Sequence, residues 1–560
     1  MAGFAVLAVG LIGRAAQLQV FEADGLRSKA ANRQLRTVEI PAHRGDLLDR
    51  SGGPLAISTP IDTLWGVPRE LAAQPELLLN VADVLGIDGA ELNKRVLQAQ
   101  SRGREFMYIK RHALPELVAQ VRELDVQGLK VKREYRRYYP SGPIASHIIG
   151  FTGIDDNGRE GLEMAYDDWL TGKQGSRQVV QDRTRREIAG LNITQPAITG
   201  KDLKLSIDRN LQYFTDKALR DAITTHDAES GSIVAMDIRT GEVLSMANFP
   251  SYNPNNISDR TGGNQRNRAV TDVFEPGSTM KPFTIAAALE SGDFKPEDIV
   301  HTSPGRYQIG KYEISDFKDY GVLDLNGIVT KSSNVGISKI ARQLEPSQMW
   351  TVFDDFGFGH PTGSEFPGEV AGYFNHSSVW HRSEQASVSF GYGISVTALQ
   401  LVRAYAALAN DGLMPEVSFI RQEAPASGRR VIDASIAQDV KSMLESVVIN
   451  GSGKLAQVPG YTVAGKTGTA HRSQYGGYAE DRYASLFAGY APASDPQIAI
   501  VVVVHDPKAG EHFGGAVAAP VFAEVMSQAL RLMSVAPDDV NERRAALPQT
   551  QRALALGERW

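Results

Sequence analysis

The sequence predicts an α+β protein in which one large C-terminal domain follows a separate N-terminal part. Three observations carry this. The 560 residues are 42% hydrophobic and 22% charged, with 53 Gly and 27 Pro, which are the proportions of a globular chain of two to four domains. Apolar strand-like runs stand at both ends of 211–533, with helical periodicity between them, as in a sheet covered by helices. A turn at Thr199-Gly200-Lys201 and an alternating run, Asp202 to Asp208, mark a change of pattern before that stretch. The same composition excludes a disordered chain, a collagen-like fibre and a polytopic membrane protein. A net charge of -6 argues against a nucleic-acid partner. The absence of cysteine excludes disulfide scaffolds, Cys-ligated zinc, iron–sulfur clusters and a thiol nucleophile, and suits an oxidising compartment.

Met1 to Gly13 is apolar and uncharged, shorter than the about 20 residues a membrane crossing needs. It reads as the outer part of a transmembrane helix whose start lies outside this chain, so 1–20 is a partial anchor. Glu22 to Arg36 reads as a helical stalk. Ile40 to Gly53 mixes a short strand with tight turns, and Glu70 to Gln100 has helical spacing. Arg177 to Ile188 reads as basic strand, and Arg209 to Thr224 as helix. Ser232 to Asp237 and Glu242 to Ala247 flank Arg239-Thr240-Gly241 as a hairpin. Helices follow at Ser278–Glu290 and Val396–Asn410. Strands follow at Tyr461–Ala464, Tyr483–Tyr490 and Ile498–His505, and a closing helix at Pro520–Leu532. From Ser534 the chain lacks an apolar face, so 534–560 reads as a flexible tail.

Ser278-Thr279-Met280-Lys281 opens a helical segment, where positions i and i+3 share a face. The Ser278 hydroxyl needs a base, and Lys281 is one if burial or a neighbouring cation lowers its pKa. The pattern alone is weak: Ser315 to Lys318 repeats it in a strand-and-turn setting. The weight lies in a combination. Ser332-Ser333-Asn334 starts 54 residues after Ser278, and Lys466-Thr467-Gly468-Thr469 starts 132 residues after Asn334. Ser-x-Asn is common (Ser251 to Asn253 also fits), but Lys-Thr-Gly occurs once. This ordered triple marks penicillin-binding proteins and class A β-lactamases. Gly460 to Thr467 also fits a phosphate-binding loop, and His505-Asp506 imitates its metal-binding partner. Such a loop opens a helix, whereas the residues after Thr467 are poor helix formers.

At these motifs the sequence resembles the class B penicillin-binding proteins, of the division-specific FtsI type. Arg44 to Arg50, Gly158 to Glu163, Asn267 to Val270, Phe274 to Ser278, Lys331 to Gly336 and Gly391 to Thr397 carry the resemblance, which covers nearly the whole chain. It implies an elongated, non-catalytic pedestal or dimerisation-like domain at 21–210. It implies a transpeptidase domain related to serine β-lactamases at 211–533, an antiparallel sheet with helices on both sides. Ser278 is implied as nucleophile, Lys281 as proton acceptor, Ser332 and Lys466 as a proton relay and Asn334 as a holder of the substrate amide. Thr467, Gly468 and Thr469 are implied to bind the terminal carboxylate of a D-Ala-D-Ala stem, with the Ser278 and Thr469 N–H groups as oxyanion hole. No metal or cofactor is implied. The implied activity is peptidoglycan D,D-transpeptidation in septal wall synthesis, inhibited by β-lactams. The implied setting is single-pass attachment to the inner membrane with the catalytic domain in the periplasm, beside an FtsW-type glycosyltransferase and other division proteins. A β-lactamase or D,D-carboxypeptidase shares the first step, and Glu365 to Glu369 holds glutamates without matching the β-lactamase loop. Phe274 and Tyr392 read as packing around the site. His505 and Asp506 read as strand-end residues, and Arg44, Asp49, Arg159 and Glu160 as a pedestal salt-bridge cluster.

Overall fold

The computed structural model describes residues 35–181, 187–260, 263–425, 427–474 and 477–539, with scattered residues of 1–20. The stalk read over Glu22 to Arg36 lies outside these, except that Leu35 and Arg36 open a strand, Leu35–Ile40. Among the described residues no helix is long and apolar enough to cross a membrane. The chain forms two compact units that interleave in sequence. One holds Met1–Asp46, Ile57–Tyr138 and Asp167–Asp202; the other holds Leu47–Ala56, Tyr139–Tyr166 and Leu203–Trp560. The units are thus not consecutive, as a single boundary at 210 has them, because two stretches of the N-terminal half join the C-terminal one.

In the N-terminal unit the long strand Pro54–Gly66, from Ile57 onward, pairs antiparallel with Met107–Ala113 on one side and Leu129–Tyr138 on the other. Helices Pro75–Leu85, Gly89–Ser101 and Pro115–Glu123 supply Leu78, Val81, Leu92, Val96, Val118 and Val121 to one apolar core with Leu64 and Ile109. The helices end where the sequence requires. Gly86 adopts the left-handed conformation that closes the first of them, and Asp88 caps the second by accepting from the Ala90 and Glu91 amides. A second sheet joins Leu35–Ile40, Gly175–Gln181 and Glu187–Gln195. The buried Arg44 guanidinium is 2.6 Å from Asp167 and 2.8 Å from the Thr171 hydroxyl. Asp49 and Glu160 belong to the other unit. There Asp49 accepts the Ser51 and Gly53 amides, and Glu160 makes no ion pair among the described residues, so the four charges read as one cluster are not one.

The C-terminal unit is built on five strands: β1 (Ser230–Asp237), β2 (Val243–Phe249), β3 (Ala464–Gln474), β4 (Gly477–Ala491) and β5 (Ile498–His505). They run antiparallel in the order β2-β1-β5-β4-β3. Seven helices matter here: α1 (Arg209–Thr225), α2 (Lys281–Glu290), α3 (Leu325–Lys331), α4 (Asn334–Ala341), α5 (Ala398–Ala409), α6 (Ala434–Asn450) and α7 (Gly514–Leu532). Every residue of β5 is buried, as expected of a central strand covered on both faces. Ile500, Val502 and Val504 share a core with Leu219 of α1 and Phe522 and Met526 of α7, while α5 packs on the sheet as well. Burying each such side chain stabilises the fold by about 1.5–3 kcal/mol.

Three elements differ from the sequence reading. The strand expected at Tyr461–Ala464 begins at Ala464 instead, because Val458 and Tyr461 close a tight bridge and Thr462 turns its polar groups to Ala493 and Asp538. The helix α7 starts six residues before Pro520 and absorbs that proline in its second turn. The segment read as tail folds back over its first residues. The Tyr461 hydroxyl donates to Val535 O at 2.7 Å, and the Asp538 carboxylate accepts the Thr462 amide at 2.8 Å and the Ser494 hydroxyl at 2.6 Å. These polar pairings, with Val535 packed against the core, hold the segment. Residues 540–560 lie outside the described ones.

Candidate active site

The Ser278 turn is a 3-10 turn, Gly277–Met280, that passes directly into α2. In such a turn i and i+3 nearly eclipse, which brings the two side chains closer than an α-helix does. Lys281 Nζ lies 2.9 Å from Ser278 Oγ. Close backbone approach sets the turn: Gly277 N donates to Gly391 O, and a Cβ on Gly391, at φ +86°, would stand 2.2 Å from Gly277 O. From behind, the Tyr405 hydroxyl of α5 donates to Thr279 O at 2.9 Å.

The second motif sits between two helix ends. Ser332 closes α3 in the left-handed conformation, φ 58°, which costs a non-glycine residue about 1–3 kcal/mol. Ser333 caps α4 by accepting the Gly336 amide at 2.8 Å. The result turns the Ser332 carbonyl and hydroxyl and the Asn334 amide toward Lys281, whose Nζ is 2.6 Å from Ser332 O, 3.0 Å from Ser332 Oγ and 2.8 Å from Asn334 Oδ1. Ser332 Oγ lies 3.0 Å from Ser278 Oγ.

The third motif lies on β3, the edge strand. Lys466 Nζ is 3.0 Å from Ser332 Oγ and 3.1 Å from Thr467 O. Lys466 and Thr467 thus belong to a strand followed by more strand, with no helix opening after them, and the phosphate-loop reading fails on that geometry. The Thr467 hydroxyl pairs with Ser452 Oγ at 2.6 Å, and the Thr469 hydroxyl accepts Gly514 N at 3.0 Å, which leaves its own proton to give. Gly514 opens α7 against the strand so closely that a Cβ there would stand 2.2 Å from Gly468 O. Anions are favoured beside such a helix start.

Neither lysine makes an ion pair among the described residues, and both are fully buried at 0% exposure. Burial, reinforced by the Lys466 charge and opposed by Asp316, holds Lys281 well below the ordinary lysine value. Burial pushes Lys466 down to about 7.

The structure brings together all the residues expected at the site and adds some that sequence reasoning missed. Asp316 lies inside the second Ser-x-x-Lys pattern, which is no nucleophile site: Ser315 O accepts the Asn334 side-chain amide at 3.2 Å. The Asp316 carboxylate accepts the Ser333 hydroxyl at 2.6 Å and the Asn334 and Val335 amides at 2.5 and 3.0 Å, so it holds the start of α4. Ser452 is the second addition. Its only sequence signal is a Gly-Ser-Gly turn. Phe274 is packing, as expected, bridged through its backbone to Val396. Tyr392 departs from that reading: with Tyr478, His381, Ile314 and Asn334 it lines a groove of about 660 Å3. Its neighbour Gly393 donates to Glu275, which also accepts the Tyr478 hydroxyl. Asp506, just past the end of β5, pairs with Arg472 and Arg482. Glu369 accepts Thr362 N and Ser364 Oγ, so its carboxylate is already occupied. Among the described residues no group of His, Asp and Glu is arranged to hold a metal.

Comparison with known proteins agrees with this geometry. The family model "Penicillin binding protein transpeptidase domain" matches residues 231–527, and "Penicillin-binding Protein dimerisation domain" matches 39–205. Peptidoglycan D,D-transpeptidase FtsI of Escherichia coli K12 is 41% identical over 534 residues, covering 94% of this chain and 90% of its own length. A peptidoglycan synthetase of Bifidobacterium adolescentis has a similar structure, with a TM-score of 0.72 at 27% identity, over 90% of this chain and 98% of the other. Penicillin-binding protein 3 of Mycobacterium tuberculosis, solved in complex with aztreonam, gives a TM-score of 0.69 at 28% identity, over 90% of this chain and 98% of the other.

Proposed function

The chain belongs to the penicillin-binding protein transpeptidase family, and we propose from that premise how its residues carry out peptidoglycan D,D-transpeptidation. The observation that carries the proposal is a chain of contacts: Lys281 Nζ to Ser278 Oγ at 2.9 Å, Ser278 Oγ to Ser332 Oγ at 3.0 Å and Ser332 Oγ to Lys466 Nζ at 3.0 Å. Lys281 is the base. Ser332 O is a carbonyl and can only accept. The Asn334 amide is oriented by its donation to Ser315 O, so its oxygen also only accepts. A neutral amine spends its two N–H groups on these two and turns its lone pair to the hydroxyls. Burial favours that neutral form.

Ser278 Oγ attacks the carbonyl of the penultimate D-Ala while its proton passes to Lys281 Nζ. The Ser278 and Thr469 N–H groups take the oxyanion, and such a donor is worth about 2.7–4 kcal/mol. Ser332, between the two lysines, delivers a proton to the departing D-Ala amine. Thr467 and Thr469 hydroxyls and the Lys466 charge hold the terminal carboxylate, with Gly468 bare against the substrate backbone. The donor peptide adds to the open edge of β3, and Asn334 holds its amide. The groove at Tyr392 and Tyr478 takes a substrate side chain. The amine of a second stem peptide then attacks the acyl-enzyme. A β-lactam enters by the same first step. We assign 211–533 as the catalytic domain and 21–210 as the non-catalytic pedestal, with the apolar run Met1–Gly13 in the inner membrane, the rest in the periplasm and an FtsW-type polymerase as partner; the FtsI relationship supports this setting.

An intact-mass time course with benzylpenicillin, run beside Ser278→Ala, tests the reading. A stoichiometric adduct lasting hours and absent from the variant is expected. A transient adduct with released penicilloate would instead mark a hydrolase, and no adduct on folded protein would remove Ser278 as nucleophile.

A further inference from the structure

A cavity of about 450 Å3 lies in the C-terminal unit, and none of the catalytic residues lines it. His147, Glu160, Met164, Tyr252, Arg266 and Phe366 are on its wall, and Asn267 closes one side. Counting the polar groups shows what it lacks. The His147 ring is 6% exposed and its Nε2 stands 2.8 Å from Asn264 O. A carbonyl only accepts, so Nε2 carries the hydrogen, and burial pushes the imidazole down to about 4, so the ring is neutral. Nδ1 is then a bare acceptor, and no partner meets it among the described residues. The Glu160 carboxylate, on an exposed residue, has no hydrogen bond or ion pair among the described residues.

The Gln265 side-chain amide, also on the wall, meets no partner among the described residues, and the other groups are already engaged. The Tyr252 hydroxyl donates to Ser146 O at 3.1 Å, which leaves only its lone pairs. The Asn267 amide accepts from Asn248 at 2.9 Å and donates to His147 O at 3.2 Å. Arg266, the cation on the wall, is held by Asp272 and by Thr271 Oγ1. What stays open is the exposed carboxylate at the rim, a neutral nitrogen lone pair inside and the Gln265 amide, set beside the side chains of Met164 and Phe366. A cavity of this size, apolar with a few converging polar groups, is the usual form of a ligand site. Its unmet groups call for a cationic hydrogen-bond donor on an apolar body.

We propose that this cavity binds a primary alkylammonium group, with Glu160 as counter-charge, His147 as acceptor, and Met164 and Phe366 against the alkyl part. The ammonium can belong to a small free amine or to the side chain of a peptide. The proposal goes beyond the transpeptidase reading and is tested separately from it.

The test is calorimetric titration of the full chain with 1,5-diaminopentane and, as the peptide arm, with a lysine-containing tripeptide amide blocked by acetylation only at its N-terminus, so that the side-chain ammonium is free. Both are run on Ser278→Ala protein and on wild type first acylated with benzylpenicillin, so that the catalytic groove is blocked in the second case. Saturable binding by at least one probe is expected in both forms, with 1-pentanol inert. Binding by the diamine alone assigns a small amine, and binding by both admits a peptide side chain. Glu160→Gln and Met164→Trp, both at partly exposed positions and checked for an unchanged Tm, should each weaken binding at least about tenfold, or 1.4 kcal/mol. No saturation by either probe at millimolar concentration, or unchanged affinity in both variants, would overturn the proposal.

Discussion

The buried cations of the N-terminal unit differ from the two lysines at the centre of the C-terminal unit, although Lys441 of the latter also stands 4.0 Å from an acid, Asp411. In the N-terminal unit each buried cation among the described residues has an acid beside it: Arg44 meets Asp167 at 2.6 Å, and Arg137 stands 3.9 Å from Asp46. In the C-terminal unit Lys281 and Lys466 are wholly buried and, among the described residues, meet only carbonyls, hydroxyls and an amide. A paired cation stays charged and serves the fold. A buried cation without an acid is pushed toward its neutral form, which costs stability and supplies a base. The contrast separates scaffold from chemistry without any motif.

The sharpest way to break this comparison is to remove the base. Lys281→Met should slow acylation by benzylpenicillin about 10²–10⁴-fold, the usual worth of a general base, and leave Tm unchanged or higher. A Tm loss with acylation retained would assign Lys281 to the scaffold. The converse variant is Arg44→Met. It should cost about 2–3 kcal/mol, less than the 3–5 typical of a fully buried pair because Asp167 reaches solvent. Acylation per folded molecule should not change, as denaturant unfolding and mass spectrometry can show together.

Asp316→Asn probes the boundary between the two roles, since this carboxylate holds the α4 start that aims Asn334. Acylation about tenfold slower, with the global unfolding free energy within about 1 kcal/mol of wild type, is expected from losing charged hydrogen bonds at a helix start. The smallest effect is a pH slope. The Lys466 pKa falls from an unfolded value of about 10.4 to about 7 in the folded protein. The unfolded chain therefore binds more protons between those values, and this group makes stability rise with pH from about 7 upward, by at most about 1.4 kcal/mol per unit. Lys466→Met should flatten that part of a Tm-against-pH curve; an unchanged curve would remove Lys466 as its source.

These cases also show what the sequence discloses. Ser278, Lys281, Ser332, Asn334 and Lys466 were legible because the chemistry fixes both residue type and local spacing. The β5 strand was legible because Ile498 to Val504 is apolar throughout, with His505 closing it. Asp316 was not, since its role depends on a hairpin that returns to Ser333 from 17 residues away. The start of α7 was missed because Pro520 looks like a helix opener, whereas Gly514 is chosen by contact with β3 rather than by local propensity. Tyr392 was misplaced because a ring beside a nucleophile looks the same in sequence whether it faces the core or a groove.

The return of the segment after α7 bears on where the gene can be cut. A stop codon placed after Leu532, at the end of the last helix, would discard Asp538 and strip Thr462 and Ser494 of a shared carboxylate. Thr462 precedes Lys466 on the approach to β3, and Ser494 lies in the turn between β4 and β5. The shortest expression boundary that preserves the approach to the catalytic strand therefore runs through Asp539, whose amide still binds Gly460 O at 3.2 Å.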